Sequence, residues 1–444
     1  MYEHDTAIFS DLESNVRSYC RTWPAVFATA KGGLLFTEAG EPFIDFFAGA
    51  GALNYGHNNE KLKRKLIDYL SSDSIVHGLD CYTVAKRMFL TKFNDIILRP
   101  RGLDYKCMFP GPTGTNAVEA ALKLARKVKG RSGIFAFMGG FHGMTLGSLA
   151  ATGNKMHRGG AGVALSNVTF MPYPHGFMRS FDTIGYIDAV LSDQCSGIER
   201  PAAIIFETVQ AEGGVLVAQI EWMQRLHTLC EKHDVLLICD DIQVGCGRTG
   251  TFFSFERAGI VPDIVTLSKS VSGYGLPAAL VLLKPELDLW KPSEHNGTFR
   301  GNQLAFVTGA EALDHWVGNG IETDIAARER YLASFLKNEI CPLDPRIRVR
   351  GIGCIWGIDL AGFDESDLAV RVVKRCFARG LVIEVAGRAG CVIKILPPLS
   401  IEMGLLRKGC MKLRQALLEC LVSIEEKSPS LESVADGVSA GTLV

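Results

Sequence analysis

The chain has 444 residues, 47% hydrophobic and 21% charged, with a formal net charge of -1. That length exceeds one typical core, so more than one folded unit is expected. No apolar run approaches the ~18 residues of a membrane span. The near-neutral balance gives no sign of a basic surface for nucleic acid or anionic lipid, which leaves small molecules and protein neighbours as partners. Met1 to Asp11 lacks a basic flank followed by an apolar stretch, so no secretory signal or transit peptide is evident and the cytoplasm is the expected location. The 13 cysteines contain no CxxC pair and read as reduced core residues, Cys239 and Cys246 included, with no metal or redox role.

In chain order, Leu34 to Phe47 reads as a β-hairpin leading into a glycine-rich turn at Gly49 to Gly51, followed by a helix around Lys61 to Leu70. From Lys106 to about Lys284, short apolar runs alternate with helical patterns, as in a mainly parallel sheet covered by helices. The strand candidates are Ile134 to Phe137, Ala202 to Phe206, Val235 to Cys239, Ile264 to Leu267 and Ala278 to Leu283. Val118, Ala121, Leu122 and Ala125 form one core-facing helical stripe, and Trp222, Met223, Leu226, Leu229 and Cys230 another. After a link near Phe306 to Trp316, apolar runs at Ile355 to Leu360, Leu381 to Val385 and Val392 to Leu396, with an amphipathic Ala369 to Phe377, indicate a second, smaller α/β unit. The tail from Ser428 is rich in serine, glycine and acids and reads as a disordered end.

Ligands of parallel α/β sheets bind at the carboxyl ends of strands, and the polar residues placed there are few. Gly114 and Thr115 open a helix whose N-terminus could face a phosphate, although a capping threonine explains the same turn. Glu207 follows one strand, and Asp240 and Asp241 follow another. Asp240 comes after five apolar residues, so its burial calls for a cation. Lys269, between Ser268 and Ser270 directly after an apolar strand, is either a solvated strand-end lysine or a desolvated amine able to act as a nucleophile.

These residues belong to a longer ordered set: Pro112 to Ala120, Phe141-His142-Gly143, Glu207 with Glu212, Asp240-Asp241-Ile242-Gln243, Gly247-Arg248-Thr249-Gly250, Pro262 to Val265 before Lys269, and Gly297-Thr298. One such motif is a weak sign and this many in order is a strong one. Between Asp45 and Pro398 the chain resembles the class III, ornithine/GABA-type aminotransferases. The resemblance implies an α/β, fold type I PLP-dependent transferase. Its large, mainly parallel sheet domain would span residues 61–310, and a smaller α/β domain would form from N- and C-terminal segments, 1–60 and 311–427, before a tail at 428–444. It implies pyridoxal 5'-phosphate as cofactor, carried as a Schiff base by Lys269, with Asp240 on the pyridinium nitrogen; these two are the expected catalytic residues. Gln243 is expected at the ring hydroxyl, Phe141 on the ring face, and Gly114 and Thr115 at the phosphate, with His142 and Glu207 completing the set. Thr298 is expected at the phosphate of a neighbouring subunit, which implies a homodimer with shared active sites.

Many relatives carry arginine two places after the Phe-His pair and again in the strand before Pro-Pro-Leu, where each can clamp a carboxylate. Here those positions are Met144 and Lys394. The stretches Phe46 to Asn59, Ser74 to Asp80, Pro100 to Lys106, Ser270 to Pro277 and Asn296 to Gly301 resemble a diaminobutyrate-handling subgroup that serves ectoine and some siderophore or peptide pathways. Ala211 departs from it, standing where that subgroup usually has glycine. The subgroup resemblance implies ping-pong transfer of the amino group of L-glutamate to L-aspartate 4-semialdehyde, giving L-2,4-diaminobutyrate and 2-oxoglutarate. Glu212 is then the candidate for a second substrate ammonium, or equally a salt-bridge partner of Lys394, and Lys394 a candidate for a substrate carboxylate. Ornithine- or GABA-type transfer and aminomutase or epimerase chemistry stay open as alternatives.

Overall fold

The structure, a computed structural model, describes residues 6–175, 178 and 181–425. The expected tail at 428–444 lies outside the described residues. The large sheet has seven strands in the order Lys106–Met108, Leu280–Leu283, Ile264–Leu267, Leu236–Asp240, Ala203–Phe206, Ile134–Phe137 and Val168–Met171. Neighbours from Ile264–Leu267 to Val168–Met171 pair parallel, and Leu280–Leu283 runs against both of its neighbours. The five apolar runs expected as strands are all present, with ends shifted by a residue or two, because helices cover both faces of this sheet and each strand must be apolar on both sides. The two strands missed, Lys106–Met108 and Val168–Met171, lie at the sheet edges, where a short half-exposed run carries little pattern.

Helix Gly114–Lys129 buries Val118, Ala121, Leu122 and Ala125 against the sheet, and Ile220–Lys232 buries Trp222, Met223, Leu226, Leu229 and Cys230. The hairpin is also present, as Leu34–Thr37 paired with Pro42–Asp45. Helix Glu60–Ser71 follows, with the Asn59 side chain accepting from Lys61 N and Leu62 N.

Three expectations need correction. Phe306 to Trp316 is no link: it is helix Gln303–Ala312 continued by the turn Leu313–Trp316, with Ala305, Phe306, Val307 and Ala310 buried. A helix covered on all sides loses the one-sided periodicity by which helices are recognised. Leu381 to Val385 is not one strand. Leu381–Val382 pairs parallel with Pro42–Asp45, whereas Glu384–Ala386 pairs with Val392–Ile395 in a four-stranded sheet completed by Ile355–Asp359 and Arg348–Ile352. Finally, Cys20, Cys81 and Cys195 are exposed rather than core, although Cys239 and Cys246 are buried. A second hydrophobic core gathers Ile44 and Phe46 with residues from Leu332 to Leu421, many of them on helices Leu368–Ala378 and Met403–Glu425.

The glycine-rich turn is tighter than expected. Ala48, Gly49, Ala50 and Gly51 have φ of 49, 58, 57 and 87 degrees, a short left-handed run that includes two alanines. Left-handed backbone costs a residue with a Cβ roughly 1–2 kcal/mol. Ala50→Gly should therefore leave the urea midpoint of unfolding unchanged or raised, where the same change in an ordinary helix costs about 0.5–1 kcal/mol; a clear loss of stability would show that the turn is unstrained.

Candidate active site

The parallel strands deliver their polar residues to one cleft of about 280 Å³, lined by Gly114, Thr115, Phe141, His142, Gly143, Met144, Glu207, Glu212, Asp240, Gln243 and Lys269 among others. Of the residues predicted from the sequence, only Thr298 and Lys394 do not line it. Thr298 is exposed on a separate loop, and Lys394 lies fully buried at a strand centre behind Glu212.

Asp240 is the last residue of its strand and is 4% exposed. One carboxylate oxygen, Oδ2, is 2.7 Å from His142 Nδ1, and Oδ1 accepts from Thr266 Oγ1 and Ile242 N, both at 3.2 Å. His142 thus buttresses Asp240, and Thr266, one strand over, does the same. Neither role is legible from spacing. Glu207 Oε2 accepts from Phe141 N at 3.1 Å. Burial, and next the charge of Asp240, hold its carboxyl well above the usual range, and it fixes the Phe141 backbone.

Lys269 begins a short turn directly after Ile264–Leu267, with φ +48 degrees, a conformation a lysine adopts only when its surroundings impose it. Burial lowers its ammonium to about 8; Glu212, the next largest influence, opposes the shift and Lys394 adds to it. The bland reading, a lysine pointing into water, is set aside by this desolvation. Of the two expectations for Glu212, the structure has the salt bridge to Lys394. It lines the cleft, and its Oε1 accepts from Lys394 Nζ at 2.5 Å and from Gln243 Nε2 at 3.2 Å. Burial pushes its carboxyl up, but Lys394 and Lys269 outweigh that and hold it low.

Sequence reasoning missed Glu384, which contacts Lys394 Nζ at 2.9 Å from another strand. It also missed Tyr19, whose hydroxyl is raised to about 12 by burial and then by the charges of Glu384 and Glu212. The Thr115 hydroxyl bonds to Thr145 Oγ1 at 2.6 Å and Ser148 Oγ at 2.5 Å, and Thr145 in turn donates to Glu119. Only a folded structure brings these residues, about 30 positions apart, together.

Three observations test the fit of the expected cofactor. Gln243 Oε1 is buried without a hydrogen-bond partner, which suits a ring hydroxyl donor. Thr113 makes no side-chain cap on helix Gly114–Lys129, so the first N–H groups of a long helix remain available for a phosphate. Asp240, among the described residues, has no lysine or arginine in ion-pair contact, as a carboxylate reserved for a pyridinium nitrogen requires. The residues present fit pyridoxal phosphate, and the described residues hold no metal-binding cluster.

Fold and site together define a PLP-dependent transferase of the α/β type. The aminotransferase class-III family model matches residues 17–417, and the chain belongs to that family. It is 52% identical over 430 residues to a diaminobutyrate–2-oxoglutarate transaminase of Halalkalibacterium halodurans, covering 96% of this chain and 99% of that one. With the same-named protein of Streptomyces anulatus it shares 54% over 414 residues, 93% and 98% of the two chains. Among solved structures, the ornithine aminotransferase of Toxoplasma gondii superposes with a TM-score of 0.82 at 24% identity over 94% of each chain. An S-selective transaminase from Arthrobacter gives 0.82 at 22% identity, covering 94% of this chain and 97% of that one. These last two show the shared fold alone.

The lowered Lys269 ammonium sets a pH dependence. Only the neutral amine attacks an aldehyde, so borohydride trapping of pyridoxal phosphate by the apoprotein should rise with pH and level off above about 8. A midpoint near an ordinary lysine's, about 10.4, would show that the amine is not desolvated.

Proposed function

We propose that this enzyme moves an amino group between L-glutamate/2-oxoglutarate and L-aspartate 4-semialdehyde/L-2,4-diaminobutyrate. The observation that carries the reading is the far side of the cleft: Met144 and Lys394 stand where carboxylate-clamping arginines are common, and Glu212 presents a carboxylate instead. The two named relatives above support it. The subgroup resemblance alone supports ectoine formation as the pathway.

Pyridoxal phosphate, when bound, supplies an aldehyde for amines to condense with and a ring that takes up electrons from a cleaved C–H bond. Around it, the Gly114 and Thr115 backbone would hold the phosphate, Phe141 would cover the ring, and Gln243 would bond the ring hydroxyl. Asp240, buttressed by His142 and Thr266, would keep the ring nitrogen protonated. Lys269 Nζ would hold the cofactor and would accept and return the proton at the donor carbon. Two such half-reactions, one per substrate pair, make ping-pong kinetics.

We also propose a homodimer. Ile75, Val76, Leu79, Tyr82, Met144 and Phe299 are exposed apolar side chains, which a partner subunit could cover. Met144 lines the cleft, so a second copy seated there would help to close it, and Thr298 would be its contribution to the neighbouring phosphate. We place the chain in the cytoplasm and divide it at residues 61–310 against 1–60 with 311–427; the second core, drawn from Ile44, Phe46 and residues from Leu332 onward, supports the division, while the first core also takes in Leu313, Trp316, Ile325, Cys354 and Leu399, and no helix among the described residues is long and apolar enough to cross a membrane.

A donor panel tests the reaction. L-2,4-Diaminobutyrate should exceed ornithine and GABA in kcat/KM with 2-oxoglutarate as acceptor, transferring its terminal nitrogen, and Glu212→Gln should narrow the gap. Higher values for GABA or ornithine would overturn the substrate reading, and failure to release free 2-oxoglutarate from glutamate would overturn transfer itself. For assembly, Thr298→Ala should weaken cofactor retention without unfolding the chain; a fully active monomer in native-size analysis excludes the shared site.

A further inference from the structure

Lys394 and Glu384 face each other directly across antiparallel strands, Val392–Ile395 and Glu384–Ala386. Lys394 is fully buried and Glu384 is 8% exposed. The ammonium sits 2.5 Å from Glu212 Oε1 on its cleft side and 2.9 Å from Glu384 Oε1 on the other. Neither Lys394 nor Glu384 reaches the cleft surface, where only Glu212 is presented. One buried ammonium therefore stands between two carboxylates, and a single positive charge cannot cancel both.

We propose that Glu384 is a specificity-determining residue: by occupying Lys394 from behind, it leaves an uncancelled negative charge on Glu212, and so selects amino donors that carry a second ammonium group. The inference rests on the reading above that the donor is a diamine. Without Glu384, Glu212 and Lys394 form a neutral pair that offers an ammonium no advantage. With it, and with both acids ionised, the three groups sum to one negative charge beside the cleft; burial pushes the Glu384 carboxyl up to about 7, so this excess charge develops as pH rises through about 7 and the donor comparison belongs above that pH. Tyr19, Lys269 and Glu207 are other ionisable groups close enough to feel this cluster. Glu384 touches no substrate; it acts through Lys394 and Glu212 as a positioning residue for charge.

The charge arithmetic gives the test. Glu384→Gln, isosteric and neutral, should lower the ratio of kcat/KM for L-2,4-diaminobutyrate to that for GABA by about tenfold, with ornithine falling alongside diaminobutyrate. Glu384→Gln combined with Lys394→Gln restores one net negative charge and should bring the ratio back toward that of the wild type. Lys394→Gln alone leaves two acids facing each other, one of which takes up a proton, so one negative charge remains and the ratio should stay at or above that of the wild type, which keeps the proposal testable if Glu384→Gln does not fold. An independent readout is the apoprotein amine: losing the negative charge of Glu384 should move borohydride trapping at Lys269 to lower pH, and the double variant should reverse the shift. An unchanged ratio in Glu384→Gln, equal losses in the single and double variants, or a ratio lowered by Lys394→Gln alone would each overturn it. If the wild-type enzyme shows no preference for diaminobutyrate, the substrate reading fails first, and that outcome is distinct from a preference which survives Glu384→Gln.

Discussion

A carboxylate buried at the end of a central strand has to be held by dipoles and by a cation, and much of the cleft is arranged around Asp240 for that reason. His142 and Thr266 each contact one of its oxygens, and the Ile242 amide shares one with Thr266. No lysine or arginine among the described residues pairs with it, so the position above it suits a cationic ring nitrogen. Glu207 lies close enough to feel the same charge, and burial together with that charge holds its carboxyl well above the usual range while it accepts from the Phe141 amide.

The pairing of Glu212 with Lys394 follows a similar rule with the signs reversed. Lys394, buried in a strand, could not persist as an ammonium without acids on it, and Glu212 and Glu384 supply them from a turn and a strand. Lys269, exposed to both signs, ends with burial as the dominant influence and a lowered ammonium. The cleft therefore gathers two acids, Asp240 and Glu212, and the amine of Lys269, with Lys394 paired to both Glu212 and Glu384. A donor that brings one amine to the chemistry and another to Glu212 matches that pattern.

Holding these charges in place costs backbone strain. Lys269 takes a left-handed conformation, and the turn from Ala48 to Gly51 runs left-handed throughout. The two are tied together: Ser270 Oγ donates to Gly51 O at 2.5 Å, and Gln243 Nε2 donates to Ala50 O at 3.0 Å. Arg248, fully buried, bonds Asn54 near the N-terminal turn together with the Cys354 and Pro397 carbonyls. It ties the N-terminal segment at Asn54 to two C-terminal carbonyls.

The five sheet-forming runs, the helical stripes and the strand-end residues Asp240, Glu207 and Lys269 were legible in the sequence, since both strand burial and active-site placement in parallel sheets follow local pattern. Glu212 and Gln243 were legible only through an ordered motif set. The sequence by itself determined the fold class and the chemistry available at each strand end, because apolar periodicity and residue type are local properties. Tertiary structure decided which charges meet: the Glu384–Lys394–Glu212 stack, the His142 and Thr266 buttress on Asp240, the lowered amine of Lys269 and the buried helix at Gln303–Ala312. Those depend on distances between residues up to 182 positions apart in the case of Lys394 and Glu212, and on burial from every side, which no local pattern encodes.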